Sequence, residues 1–410
     1  MHFDVAVIGG GPAGMIAAGR AAELGAKVVL IEKNPTLGNK LLLTGGGRCN
    51  ILNAELDTHA LIKKYGVKGK ALFSPFSRFG VPETMEFFET HGLPLKIEPE
   101  KRAFPVSDKA ESVLRTLIDY MKAGRVTMLL HKPVQSLTVE SGKITKAILK
   151  GSEVTADRFI LATGGKSHPE TGSTGDGFPW LRKLGHTVVE PDAALVPIEI
   201  KDPWVSRLAG ISLQDVRLTV LVGKAKGESR IGKILFTHVG LSGPLVLNMS
   251  KRIGEMLKSG DVWLSLDLFP SLDPGAVDRK ILEVVEREKN KMLKNAIGEI
   301  IQPRLAEVLF MLAGIKPETP MHQLKREERE AFVRVAKNVP MQVAGLLGEE
   351  DAIVTSGGVL LDEIDFKTMR SKVCPNLFFA GDILDFDRPS GGFSLQICWT
   401  TGYVAGEGAQ

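Results

Sequence analysis

Six residues near the start of the chain, Gly9-Gly10-Gly11-Pro12-Ala13-Gly14, constrain its fold more than any other stretch. They follow a short β-branched run over residues 3–8 and open an alanine-rich helical pattern over residues 12–24. In the spacing Gly-x-Gly-x-x-Gly, Gly9 permits a tight turn and Gly11 lets a pyrophosphate approach the backbone. Gly14 lets helix and strand pack closely. Gly25 ends the helix, and residues 27–32 read as a second strand. This is the pattern of a right-handed strand-helix-strand crossover. The helix start offers free N–H donors and a positive dipole end to phosphates. Glu32 closes the second strand, where a carboxylate accepts both ribose hydroxyls and repels a 2′-phosphate. The unit is therefore expected to bind FAD or NAD rather than NADP.

The far end of the chain chooses between these two. Asn376-Leu377-Phe378-Phe379-Ala380-Gly381-Asp382 reads as a strand ending in a glycine and a carboxylate. Such a carboxylate suits a polyol hydroxyl, which FAD has in its ribitol and NAD lacks. Ser390-Gly391-Gly392-Phe393 then opens a helix whose N-terminus suits the negative charge a reduced flavin carries near N1 and O2. Leu161-Ala162-Thr163-Gly164-Gly165 adds another strand-to-glycine turn of the kind that approaches a bound cofactor. Together these segments imply FAD. We place Lys33, beside Glu32, and Val134 in the same cofactor shell.

The 410 residues exceed one ordinary core, so two or three domains are expected. Helical patterns fall near 82–91 and 109–123, and short strands fit 132–139, 143–149 and 158–162. Alternation over 195–200, 216–222 and 262–268 suggests antiparallel sheet. Residues 274–338 are charged and helical, with helices expected over 279–293 and 303–313 and a solvated helix face over 325–334. The expected fold is α/β: a Rossmann-type FAD-binding domain from residues 1–189 and 351–410. Into it are inserted a sheet-rich, β-barrel-like domain (190–273 and 339–350) and a small helical domain (274–338).

Composition narrows the partners. A net charge of +4, from 52 basic and 48 acidic side chains, gives no reason to expect a nucleic-acid or membrane partner. A small-molecule substrate is expected instead. Cys49, Cys374 and Cys398 are few, scattered and odd in number, which suits a reducing compartment, and no CxxC dithiol exists. No apolar run approaches the ~20 residues that span a bilayer. With Met1 and His2 alone before the first strand, no signal peptide is expected and a cytoplasmic location is. No metal site is expected.

The chain also resembles a bacterial flavoprotein family, the aminoacetone oxidase type, also called BaiN/RdsA-like NAD(P)/FAD-dependent oxidoreductases. The likeness covers almost the whole length. Its most specific piece is the loop Gly38-Asn39-Lys40-Leu41-Leu42-Leu43-Thr44-Gly45-Gly46-Gly47-Arg48-Cys49-Asn50. Further matches are the segments from Arg102 to Ser107, Leu235 to Pro244 and Thr355 to Val359. The resemblance implies that Lys40, Thr44, Gly45, Gly46, Gly47, Arg48 and Asn50 line the cofactor. A structural salt bridge is the other reading of Arg48. Cys49, inside the loop, is either a packed thiol or a nucleophile activated by nearby cations. The chain departs from the family in carrying Asp382 where Glu is usual, and Phe393-Ser394 where Tyr-Asn is usual. Arg388 is an addition, read either as a recognition point for an acidic substrate or as surface charge.

The function implied is an FAD-dependent oxidoreductase acting on a small organic substrate at flavin N5. It would work as an amine or aminoketone oxidase, or with NAD(P)H docking transiently. Gly172-Ser173-Thr174-Gly175-Asp176-Gly177 is glycine-rich but opens no strand-helix-strand unit, so no second dinucleotide domain is expected. His238 is the candidate acid or base, because its ordinary pKa lies near neutrality, and a structural hydrogen-bonder is its other reading. His168 is a lesser candidate. Two alternatives of other classes are a flavin-dependent RNA-modifying enzyme and a non-catalytic FAD redox sensor.

Overall fold

The computed structural model describes residues 2–223, 225–348 and 354–410. The chain divides into two compact units, one built from its two ends and one from residues 195–348. The expected boundary at 350/351 lies outside the described residues.

In the first unit the strand His2–Ile8 lies at the centre of a largely parallel sheet. Val28–Ile31 pairs on one side of it and Ser152–Leu161 on the other. Thr127–Leu129 and Leu377–Phe379 extend the sheet outward. Val5, Ala6 and Val7 are fully buried, as a strand covered on both faces requires. The register sets Ile8 level with Ile31 and Leu161, Ile31 level with Leu129, and Leu161 level with Phe379. The ladder runs on into the turns. Gly9 N donates to Ile31 O (2.9 Å), Ala162 N to Ile8 O (2.9 Å) and Ala380 N to Leu161 O (3.1 Å). Five strands thus release their chains side by side at one sheet edge, which is where open α/β sheets bind ligands.

The helix Pro12–Glu23 starts with Pro at its first position and buries Ala13 through Gly19. Small residues are needed there because the helix lies between the sheet and the C-terminal helix Phe393–Gly408. At Gly402 of that helix, an added Cβ would fall 2.5 Å from the Ala13 carbonyl oxygen. Phe393–Gly408 is buried nearly all round, with Gln396, Thr400 and Thr401 among its enclosed residues. The helices Val81–Thr90 and Ala110–Ala123 and the strands Val134–Glu140 and Lys143–Leu149 lie within three residues of their sequence-based bounds.

The second unit holds a closed six-stranded antiparallel barrel. Its strands run around the wall as Ile198–Ile200, Gly240–Ser242, Ala225–Phe236, Ser212–Val222, Val262–Asp267 and Val339–Leu346. Ile198 pairs with Leu346 to shut it. Val216, Leu218 and Val220 alternate inward, which is the period-two pattern seen in the sequence. The helices between 274 and 338 share one apolar core with this barrel, so they are described with it rather than as a separate body. One of them runs Pro274–Arg287, five residues ahead of the 279–293 expected from sequence. Asp273 sets the start by accepting Ala276 N at 2.7 Å. The helix Pro244–Leu257 was not expected at all. Its Gly-Pro opening reads as a loop, although Pro is favoured at a first helical position. In the charged 325–334 stretch Lys325, Arg326, Glu327, Glu330 and Arg334 are exposed, whereas Phe332 and Val333 turn into the core on the other side of the helix Arg326–Lys337.

Among the described residues, no helix is long and apolar enough to cross a membrane. No group of three or more His, Cys, Asp or Glu is placed to hold a metal ion.

A buried histidine makes the first unit sensitive to acid. His186 is enclosed, with Nδ1 at 2.8 Å from Glu363 Oε2 and Nε2 at 2.8 Å from Ser371 Oγ. Burial lowers its pKa below the ordinary 6.5, and Glu363 only partly opposes this. The unfolded chain therefore takes up a proton before the folded one does. Stability from this site is full above about pH 6.5 and is lost as pH falls from there to the depressed folded value. Chemical denaturation at stepped pH should show this loss in the wild type and a smaller one over that window in His186→Gln.

Candidate functional site

A cleft open to solvent runs along the sheet edge where the parallel strands end. The first turn forms its middle. Gly9 sits at φ +111°, and a Cβ there would strike the Ala162 carbonyl oxygen at 2.3 Å. A Cβ on Gly14 would meet the Gly9 carbonyl oxygen at 1.9 Å, so this glycine packs beneath the turn and does not face the cleft. Gly11 differs: nothing lies within 4 Å of its would-be Cβ. Its backbone (φ −79°, ψ −178°) is open to any residue, so the space it leaves is a cradle in the cleft wall. Pro12 and Ala13 continue that wall at the start of the helix.

Glu32 stands at one end of the cleft. Its Oε2 accepts Gly10 N at 2.6 Å and its Oε1 accepts Asn34 N at 2.8 Å. The carboxylate is thereby aimed and held, with lone pairs left for a ligand's hydroxyls. Lys33 lines the wall beside it and donates to Thr174 Oγ1 (2.6 Å) and Asp176 Oδ2 (2.7 Å). Burial works against the Asp176 carboxylate, but Lys33 and Thr174 outweigh it and hold its pKa below the usual range. Val134 and Trp180 give the same end an apolar side. The stretch from Gly172 to Gly177, which opens no dinucleotide unit, nonetheless reaches the cleft. Asn34 Nδ2 ties it in by donating to Thr171 O (2.9 Å).

Asp382, Ser394, Leu395 and Cys398 form a further part of the wall, and Thr163 and Gly164 line it beside the Gly172–Gly177 stretch, where a Cβ on Gly164 would lie 3.2 Å from Ser173 Oγ and one on Gly177 2.4 Å from Thr163 Oγ1. Thr163 Oγ1 and Ser394 Oγ are buried without a hydrogen-bond partner. Gly381 (φ +77°) does not line the cleft; a Cβ on it would lie 2.7 Å from Ala13 Cβ, so it brings the strand end against the first helix. Gly165 packs likewise on Thr355.

The long glycine loop proves two-faced. Gly38, Lys40 and Thr44 of its front half line the cleft. Lys40 Nζ donates to Ser167 O (3.1 Å) and Ser167 Oγ, and burial pulls its pKa below the usual lysine value. Gly45, Gly46, Gly47, Arg48 and Asn50 do not reach the cleft. Arg48 is bound to Glu98 and Asp108 and lies over the Phe104 ring at 4.2 Å, which is the salt-bridge reading of this residue. The Asn50 amide, turned so that its nitrogen donates to Leu52 O (3.1 Å) and Ala103 O (3.2 Å), accepts Gly392 N at 3.1 Å. A Cβ on Gly392 would hit the Leu52 carbonyl carbon at 2.4 Å. The back of the loop therefore braces Gly391, Gly392 and Phe393, which aim the C-terminal helix but stay out of the wall themselves. Cys49 is enclosed, and burial pushes its thiol up to about 12, which leaves a packed thiol.

Arg388 is buried, so it is not surface charge. His168 is held at φ +53° with Nδ1 at 2.9 Å from Glu170 Oε1. His238 lies exposed in the second unit, in a tight turn closed by Thr237 and Gly240.

The contrast between Gly11 and Gly14 is testable. Gly11→Leu should leave the ligand-free protein within about 0.5 kcal/mol of wild-type stability, as at an unconstrained surface position. It should also abolish retention of a bound nucleotide on gel filtration. Gly14→Leu should fail to fold.

The sequence pattern of the HI0933-like protein Rossmann domain matches residues 3–408. The 3-dehydro-bile acid delta(4,6)-reductase of Clostridium scindens is 30% identical over 409 residues, covering 99% of this chain and 98% of that one. The ribosomal RNA dihydrouridine synthase of Escherichia coli is 29% identical over 409 residues, with the same coverage. Among solved structures, the fold is similar to a 3-ketosteroid-delta4-(5alpha)-dehydrogenase from Rhodococcus jostii RHA1. That likeness has a TM-score of 0.56 at 16% identity and covers 100% of this chain and 96% of that one. With a dinucleotide cleft at its sheet edge and matches along nearly its full length, the chain belongs to the HI0933-like Rossmann family and is a BaiN/RdsA-like flavoprotein oxidoreductase.

Proposed function

We propose that the cleft holds FAD in extended form and that the chain is an FAD-dependent reductase of an activated carbon–carbon double bond in a small organic substrate. The observation that carries this reading is the continuous wall from the Glu32 carboxylate, past the open Gly11 turn, to Asp382 and the start of the C-terminal helix. That order of groups suits a ribose, a diphosphate, and a polyol joined to a ring.

Bound FAD would supply hydride chemistry at its flavin N5. The chain's own residues hold and orient it. Glu32 takes the ribose hydroxyls, and the N–H groups of the first helical turn face the diphosphate. Asp382 is set for the polyol. Lys40 and the positive end of the C-terminal helix favour negative charge at the ring.

The names of the two relatives support the choice of reaction, because each denotes hydrogen added across a carbon–carbon double bond. NAD(P)H, docking transiently, is the donor we assign. In an anaerobic cuvette the yellow protein should bleach with NADH or NADPH and recolour on adding an enone such as a 3-oxo-Δ4 steroid. Bleaching by an amine alone would move the reading to an oxidase. A correctly folded protein that releases no flavin on heating would end it.

A second reading, with RNA bearing the double bond, draws on the Escherichia coli relative and on exposed Lys63, Lys64 and Lys70 around Val67. It requires a mobility shift of ribosomal RNA fragments that weakens steeply between 50 and 200 mM salt. Unshifted RNA at low salt would remove it.

A further inference from the structure

Arg388 is enclosed, with no side-chain exposure. Its Nη1 donates to Thr355 O (3.1 Å) and its Nη2 to Leu384 O (2.7 Å). Its Nε is buried without a hydrogen-bond partner and stands 3.5 Å from Asp382 Oδ1, the carboxylate in the cleft wall. A buried guanidinium is costly unless its charge is used or matched. Nearby, Lys68 and Asp385 pair with each other at 2.6 Å. Asp387, one residue before Arg388, is half-buried and has a partner of its own. Lys40 shares the wall with Asp382. Burial is the chief force lowering the Lys40 pKa, Asp382 opposes it, and Arg388 adds to it, so the three charges feel one another.

The same guanidinium is tied into the cleft floor. Thr355, whose carbonyl it holds, accepts Lys166 N (2.7 Å) and Ser167 N (3.0 Å) on its hydroxyl, and Ser167 in turn accepts from Lys40. One side chain therefore touches the supports of both charged groups at this end of the cleft.

We propose that Arg388 is a positioning residue that fixes the Asp382 carboxylate and adds positive potential at this end of the cleft, raising the reduction potential of a flavin bound there. The proposal rests on the FAD reading above. A reduced flavin is negative near N1 and O2, and a cation in a dry wall favours that form.

The test is the midpoint potential of the bound flavin, measured alongside FAD affinity, in Arg388→Met, Arg388→Lys and Asp382→Asn. Arg388→Met should shift the two-electron equilibrium about tenfold toward the oxidised form, a fall of about 30 mV. Asp382→Asn should shift it in the opposite direction, and Arg388→Lys should stay close to wild type. Opposed shifts with rescue by lysine are not what a purely structural role produces. Equal potentials in all proteins, or shifts of one sign in the Met and Asn variants, would overturn the proposal. Should Arg388→Met fail to fold, the other two decide: a raised potential in Asp382→Asn with an unchanged one in Arg388→Lys supports it, and any other pair overturns it. A wild-type preparation that releases no flavin on heating overturns the FAD reading, and that is seen before any potential is measured.

Discussion

The first unit depends on a backbone contact that admits no side chain. The Gly14 backbone lies so close beneath the Gly9 carbonyl that even one methyl group would overlap it. That closeness lets the first helix begin directly above the end of the first strand, with its unpaired N–H groups facing the cleft. Because Ile8, Ile31 and Leu161 are level in the sheet, the turn, the Glu32 carboxylate and the Ala162–Gly164 segment emerge together. The site is thus a consequence of strand register as much as of the glycine motif.

Around that edge the protein separates holding from bracing. The glycine loop from Gly38 to Asn50 serves both purposes. Lys40 and Thr44 face the cleft, whereas Arg48 and Asn50 turn away to Glu98, Asp108 and the Gly392 turn. Bracing has chemical value, since a helix start can stabilise charge only where its N–H groups are aimed. Asn50 and Leu52 supply that aim for the C-terminal helix. The electrostatics follow the same division. Lys40 is a desolvated cation in the wall, while Arg48 is neutralised by two carboxylates outside it.

Much of this was legible in the chain. The strand, turn, helix and Glu32 could be read because each depends on local geometry: glycine where a side chain would clash, and a carboxylate one residue past a strand. The barrel strand Ser212–Val222 was legible through its period-two alternation. The helix Pro244–Leu257 was not, because a Gly-Pro pair suits both a loop and a helix start, and only packing in the second unit's core separates them. Trp180, Asn34 and the Thr171–Asp176 loop were missed as wall residues because they carry no motif. They reach the cleft through contacts more than a hundred residues apart in sequence.

The sequence by itself determined the first crossover unit, the acidic residue that ends its second strand, and the family to which the chain belongs. Each of these is written in residue types at short range. The tertiary structure alone decided which side chains of a shared loop face the ligand and that Arg388 is buried behind Asp382. A side chain's direction, and the water it loses, depend on what distant segments pack against it, and short-range spacing carries no record of that.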